Sequence, residues 1–410
     1  MFFEKVYRNY TGFPKEAKYL VYASIMPAVA YGMLFTDLSY FLTTVRGVST
    51  DFMGLVLTSM GISTFIASIF LGIVADIYGR KKLLIIGNVL ASIILVVFAL
   101  TEDPLIMLLA GILEGISEAA ILASSSALLA DKTINEKRTS AFSLYGFTQS
   151  IAFGLGGFAI PAVAIFELAG FTEEEGHVLL FILIAAISLL STLIMLKVSE
   201  SKMLKKTRNG VADFLPRKSK DVLIKYTIAS AIIAFGAGMI IPLMTKWFEL
   251  QYGISDKISA PILAVSSVLI GLAILAAPPL AKRYGLVKGI VLTQAISTIF
   301  MFLTPLSPNY ALAGLVYSIR ALLMNMASPL SQSMIMGLVA VDERGAASGI
   351  NGALWRLPNA LSTFIGAWLM GMGLLAEPFF VAGLFYAVSI VLFWHYFRRV
   401  KMPEEEIRYA

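Results

Sequence analysis

Long apolar runs, separated by short polar and charged breaks, repeat along the whole chain. A bilayer-spanning helix needs about 20 mainly apolar residues. Runs of that kind lie near 18–44, 52–75, 83–101, 104–130, 139–166 and 177–197 in the first half. A second set lies near 223–247, 258–281, 287–306, 308–338, 346–373 and 377–397. They are continuously apolar and lack the polar alternation of a barrel strand. The expected fold class is therefore an all-α integral membrane protein with twelve transmembrane helices, numbered here as spans 1 to 12. The longest polar stretch, rich in Lys and Arg, splits the spans six and six. It predicts an N-terminal six-helix bundle (1–197), a cytoplasmic linker (198–222) and a C-terminal six-helix bundle with a short tail (223–410).

Composition agrees with this pattern. Hydrophobic residues make up 58% of the 410 and charged residues 14%, against roughly 25% charged in soluble domains. Lipid must be the solvent for much of that surface. The first 17 residues mix charges with aromatics, and the first apolar run is too long for a signal h-region, so it should remain as span 1. The absence of cysteine excludes disulfides, thiolate nucleophiles and thiolate metal sites. The two histidines, His177 and His395, stand far apart near the ends of apolar runs, so no metal site or acid–base pair is expected. With no nucleotide P-loop and no nucleophile–base pair, the chain reads as no enzyme and as needing no cofactor.

The net charge of +6 changes the picture only through its distribution. Of the 32 Lys and Arg, only Arg46, Lys246 and Lys257 fall in alternate loops that would be external, and Arg320 and Arg356 fall within spans. The remainder sit on the other face, which places both termini in the cytoplasm of a plasma-membrane protein by the positive-inside rule. Nucleic acid is not an expected partner; lipid is.

The two halves also resemble each other. Ala30-Tyr-Gly-Met33 recurs as Gly236-Ala-Gly-Met239, Tyr78-Gly79 as Tyr284-Gly285, and Arg138 before small residues as Arg344, each 206 residues on. A duplicated six-helix unit follows, giving two pseudo-symmetric bundles. Between spans 2 and 3 runs Gly72-Ile-Val-Ala-Asp76-Ile-Tyr-Gly79-Arg80-Lys81-Lys82. Gly72 and Gly79 permit close helix approach and a tight turn, and Asp76 is placed to accept from orphan N–H groups at a neighbouring helix start.

That loop resembles the signature between helices 2 and 3 of the major facilitator superfamily of transporters, and the chain is similar to that superfamily over about 15–400. The resemblance implies the two-bundle fold, with the Asp meeting helix 11 and the Arg reaching an acid at the end of helix 4. Asp131 stands at that place here. Gly72, Asp76, Gly79, Arg80 and Asp131 would form an inside gate. The second copy has Lys282 in place of the Asp, which predicts a one-sided latch. Within the superfamily the chain looks most like twelve-span multidrug efflux proteins. It departs from them in helix 5, where Ala152-Phe-Gly-Leu-Gly-Gly157 lacks the Gly-Pro, and in helix 4, where Gly111 replaces a frequent Arg.

Charges inside the spans carry the candidate chemistry, because an ionisable group at bilayer depth needs a partner or a wet cavity. There are five: Asp37, Glu114, Glu118, Arg320 and Arg356. Glu114 and Glu118 are spaced i, i+4 on one face of span 4, where mutual repulsion makes one of them a candidate proton carrier. In the resembled fold, helices 1, 4, 7 and 10 line a central cavity. The function expected is proton-coupled efflux of an amphiphilic or cationic solute by a monomer, with Arg320 modulating the two glutamates. One alternative is a symporter or uniporter for a small organic anion held by Arg320 and Arg356. Another is a membrane receptor or scaffold that transports nothing, with the five charges merely pairing off.

Overall fold

The computed structural model describes residues 13–133, 138–200, 218–340 and 344–400. Its regular elements are helices, with no strand among the described residues. In the first half α1 covers Lys15–Val45, α2 Thr50–Tyr78, α3 Arg80–Leu100 and α4 Pro104–Asp131. Next come α5, Arg138–Ala159 continued by Ala162–Leu168, and α6, Glu173–Lys197. The second half has α7 (Lys220–Tyr252), α8 (Asp256–Tyr284), α9 (Leu286–Leu303) and α10 (Tyr310–Leu338). It closes with α11 (Arg344–Gly371) and α12 (Glu377–Phe397). Among the described residues, eleven stretches are long and apolar enough to cross a membrane. The remaining one, α11, is 28 residues long and lies where the eleventh span was expected. Most of the linker 198–222 lies outside the described residues.

The helix ends follow from local chemistry. Helix starts leave N–H groups unsatisfied, and short polar side chains supply the missing acceptors. Ser49 accepts from the N–H of Phe52, Asp103 from those of Leu105 and Ile106, and Asn309 from that of Leu312. Thr172 and Glu175 form a reciprocal capping box at the start of α6. The α2–α3 and α8–α9 joints instead turn on Gly79 (φ 111°) and Gly285 (φ 80°), a backbone region that disfavours side chains. Breaks inside spans are equally local: α5 is interrupted at Pro161, and α7 passes through a tight turn at Ile241–Leu243 that holds Pro242.

The chain divides into two compact units. The first lies within Met1–Leu204 together with Ser255–Ser267, and the second within Lys205–Ile254 and Val268–Ala410. The first turns of α8 thus group with the first unit, although the sequence halves assign them to the second. Small residues make this possible: a Cβ at Gly157 of α5 would lie 3.0 Å from Cβ of Ala264 and 3.2 Å from the carbonyl oxygen of Ala260. Lys257 adds ion pairs to Glu167 (2.6 Å) and Glu173 (3.2 Å).

The internal repeat is visible in how each unit packs. A Cβ at Gly32 of α1 would lie 2.1 Å from the carbonyl oxygen of Phe153 on α5. A Cβ at Gly238 of α7 would lie 1.9 Å from that of Asn359 on α11. Both members of the second pair stand 206 residues after those of the first. Similarly, Ser191 donates to the carbonyl of Ala23, and Ser389 to that of Ala229, its counterpart at the same offset.

Candidate functional site

Glu118 is the focus of the first unit. Tyr31 of α1 donates its hydroxyl to Oε1 at 2.8 Å, and Thr64 of α2 lies 3.0 Å from Oε2. Three helices therefore meet at one carboxylate. Tyr31 is also the first ring of an aromatic wall: its centroid lies 6.0 Å from those of Phe35 and Phe153, which are 5.7 Å apart. Glu118 and the three rings are half-buried while Thr64 is buried, so one side of the assembly is open. A carboxylate edged by aromatic faces offers both charge and cation–π contact to an apolar cation.

Glu114, one turn earlier, differs in surroundings. It is buried, and its Oε2 has no hydrogen-bond partner among the described residues. An ionised carboxylate in that position carries a large desolvation penalty. The glutamates thus share a helix face but not an environment.

The packing of α4 on α2 explains the missing helix-4 arginine. A Cβ at Gly115 would lie 2.0 Å from Ser63 Oγ and 2.2 Å from the carbonyl oxygen of Met60. At Gly111 the nearest atoms would be Ser59 Oγ and Val56 Cγ1, both 3.0 Å away. A guanidinium side chain at 111 has no room; the two glycines form the seam that brings Thr64 to Glu118.

Asp37 is not paired with an arginine. Its carboxylate is fully buried near the imidazole of His177 on α6, with Oδ2 3.7 Å from Nε2. The same nitrogen lies 2.9 Å from Oδ2 of Asp256, the first residue of α8. Nδ1 lies 2.8 Å from the carbonyl oxygen of Glu173. That oxygen can only accept, so Nδ1 carries a hydrogen. His177 has no His395 beside it, but ends of separate spans bring two carboxylates to it where sequence distance suggests no relation.

In the second unit Arg320 is buried. It donates to the hydroxyl of Tyr386 on α12, with its guanidinium carbon 5.4 Å from the centre of that ring and 5.6 Å from the Tyr317 ring. Its carbonyl accepts from Ser297 of α9 at 2.8 Å. No carboxylate lies within salt-bridge distance of it among the described residues. The pairing of acids with arginines expected for a purely structural set is therefore not what holds Arg320. Arg356 on α11 is half-buried.

At the α2–α3 loop, Arg80 meets Asp131 at 2.6 Å and lies 3.5 Å from the carbonyl of Ala127. The Asp76 side chain and that of Lys282 lie outside the described residues. The acceptor for the N–H groups starting α3 is Glu200, which takes those of Lys81 (2.9 Å) and Lys82 (3.2 Å). A Cβ at Gly79 would lie 2.5 Å from that carboxylate, while one at Gly72 would meet no described atom within 4 Å. Gly79 thus makes room for a cap. Glu200→Ala should cost about 0.5–2 kcal/mol, as for other lost helix caps, and lower the thermal midpoint of the purified protein. Arg80→Gln should cost less than about 1 kcal/mol, because both partners are partly exposed to solvent.

Tyr31, Thr64, His177 and Asp256 were not among the sequence candidates. Tyr31 left a trace as part of the repeated Ala30–Met33 segment, and His177 as one of the two histidines.

Comparison with known proteins agrees with this architecture. The family model described as Major Facilitator Superfamily matches residues 20–363 and 226–408. "Multidrug resistance protein 2" of Bacillus subtilis (strain 168) is 24% identical over 359 residues, covering 84% of this chain and 86% of that protein. "Quinolone resistance protein NorA" of Staphylococcus aureus (strain MSSA476) is 20% identical over 370 residues, covering 88% and 92%. Among solved structures, the nucleoside transporter NupG superposes with a TM-score of 0.74 at 17% identity, covering 94% of this chain and all of that one. A bacterial homologue of the human lysosomal transporter Spinster gives 0.74 at 15% identity, covering 94% and 96%.

Proposed function

Because the chain belongs to the Major Facilitator Superfamily, we propose that it is a proton-coupled exporter of small amphiphilic or cationic solutes, working by alternating access. The observation that carries this reading is Glu118, set between Tyr31 and Thr64 beside a half-open aromatic wall. The carboxylate attracts a cation, the rings accept its apolar body, and no rigid set of donors restricts its shape. Relatives named for multidrug and quinolone resistance support efflux as the direction.

In this reading Glu118 binds solute and Glu114 carries the exchanged proton. Glu114 is suited to that task by its buried, unpartnered oxygen. Repulsion between carboxylates one helical turn apart links the two events: a cation at Glu118 makes it easier for Glu114 to give up its proton. The Arg80–Asp131 pair and the Glu200 cap would hold the cytoplasmic loop in one of its states. The distribution of Lys and Arg supports a plasma-membrane protein with both termini in the cytoplasm.

An anion carrier using Arg320 fits less well, because that side chain is buried inside its own unit against Tyr386 and Tyr317.

A ligand-dependent thermal-stability screen on the purified protein tests the substrate class. Aromatic and lipophilic cations should raise the unfolding midpoint, and organic acids and sugars should not. Stabilisation by organic acids alone would contradict the reading. A cation's effect should disappear in Glu118→Gln.

A further inference from the structure

We propose that Asp37, His177 and Asp256 form a site for one divalent first-row transition-metal ion, zinc being the best-matched occupant. Three separate helices, α1, α6 and α8, each deliver one ligand, and all three side chains are fully buried. One ligand atom from each residue lies within 4.8 Å of the other two.

The distances suit a small tetrahedral ion. Zinc–nitrogen and zinc–oxygen bonds of about 2.0–2.2 Å place neighbouring ligand atoms roughly 3.3–3.5 Å apart. Nε2 of His177 lies 2.9 Å from Asp256 Oδ2 and 3.7 Å from Asp37 Oδ2, values on either side of that separation. Shifts of roughly half an ångström would bring both of these contacts to that separation, and the two carboxylates already stand within 4.8 Å of each other.

The second observation is polar valence left open at full burial. Both oxygens of Asp37 and Oδ1 of Asp256 have no hydrogen-bond partner among the described residues. A proton on Nε2 can serve Asp256 at 2.9 Å but is too far from Asp37, and it leaves the cluster one negative charge in excess. A divalent cation balances both carboxylates and engages the unpaired oxygens.

The histidine is already oriented for this role. Its Nδ1 hydrogen goes to the carbonyl of Glu173, which directs the Nε2 lone pair at the two carboxylates. Backing of a metal-binding imidazole by a carbonyl is the usual outer-shell arrangement. The ring packs against Phe41 (5.8 Å) and Tyr40 (6.3 Å), giving a dry apolar wall. One imidazole and two carboxylates in such a setting favour zinc over magnesium, which retains waters and demands octahedral oxygen ligands.

The test uses the full chain purified through a tag without histidines, stripped with chelator and titrated calorimetrically with zinc chloride. The expected result is one zinc per chain, undisturbed by excess magnesium. Cobalt added to the stripped protein should give the visible bands of a four-coordinate nitrogen–oxygen site. Asp37→Asn, which preserves shape, and His177→Gln should each weaken zinc at least about tenfold and abolish the cobalt bands. Wild-type protein that binds neither metal overturns the proposal. So does a zinc isotherm unchanged by Asp37→Asn.

Discussion

Glu118→Gln should abolish gradient-driven efflux of a fluorescent aromatic cation, read as its accumulation in everted membrane vesicles. The substitution keeps the volume of the side chain but removes its charge. It also replaces one of two acceptor oxygens, which face Tyr31 and Thr64, with a donor. Hydrogen bonds to a charged group are worth about 1.5–3 kcal/mol, so affinity for a cation should fall about tenfold to a hundredfold or more. Glu114→Gln should act differently. Its buried Oε2 has no hydrogen-bond partner among the described residues, so cation binding should survive while efflux loses its dependence on the proton gradient. Normal efflux by both variants, with unchanged pH dependence, would remove both residues from the mechanism.

The second large effect concerns folding. Gly32→Val and Gly238→Val should each destabilise their own unit, because even the first added carbon would sit 2.1 Å and 1.9 Å from a carbonyl oxygen, closer than real Cβ atoms come. The α1–α5 and α7–α11 crossings would have to open. Overpacking typically costs about 1–3 kcal/mol, and a valine at a backbone crossing belongs at or beyond the top of that range. Loss of the monodisperse peak on size exclusion, or a large fall in thermal midpoint, measures it. Gly72→Ala is the control: with no described atom within 4 Å of the added carbon, it should leave stability unchanged or slightly raised. A Gly72→Ala protein that is stable but transports poorly would assign that glycine to switching.

Much of this architecture was legible in the chain. Continuous apolar runs fix the spans because lipid forces backbone groups to pair within each helix. The 206-residue echo of Gly32 in Gly238 pointed to a duplicated unit, and both glycines stand at equivalent crossings, since a residue without a side chain is what such a crossing needs. The i, i+4 spacing of Glu114 and Glu118 likewise placed them on one face. What stayed hidden was pairing across distance. His177 and Asp256 stand at the starts of spans, where polar residues are common, and only tertiary packing brings them to Asp37. The capping role of Glu200 was hidden for the same reason: its partners are 118 and 119 residues away. Arg320 shows the opposite limit, because its depth in a span was readable but its direction, toward Tyr386, was not.

The most direct test of the central claim is simultaneous measurement of cation and proton flux in proteoliposomes holding only this protein. With an imposed proton gradient, cation should move uphill against the protons, and adding cation alone should drive measurable proton movement the other way. Collapse of the gradient with a protonophore should stop uphill movement. Cation flux of equal rate with and without the gradient, unaccompanied by protons, would contradict the account.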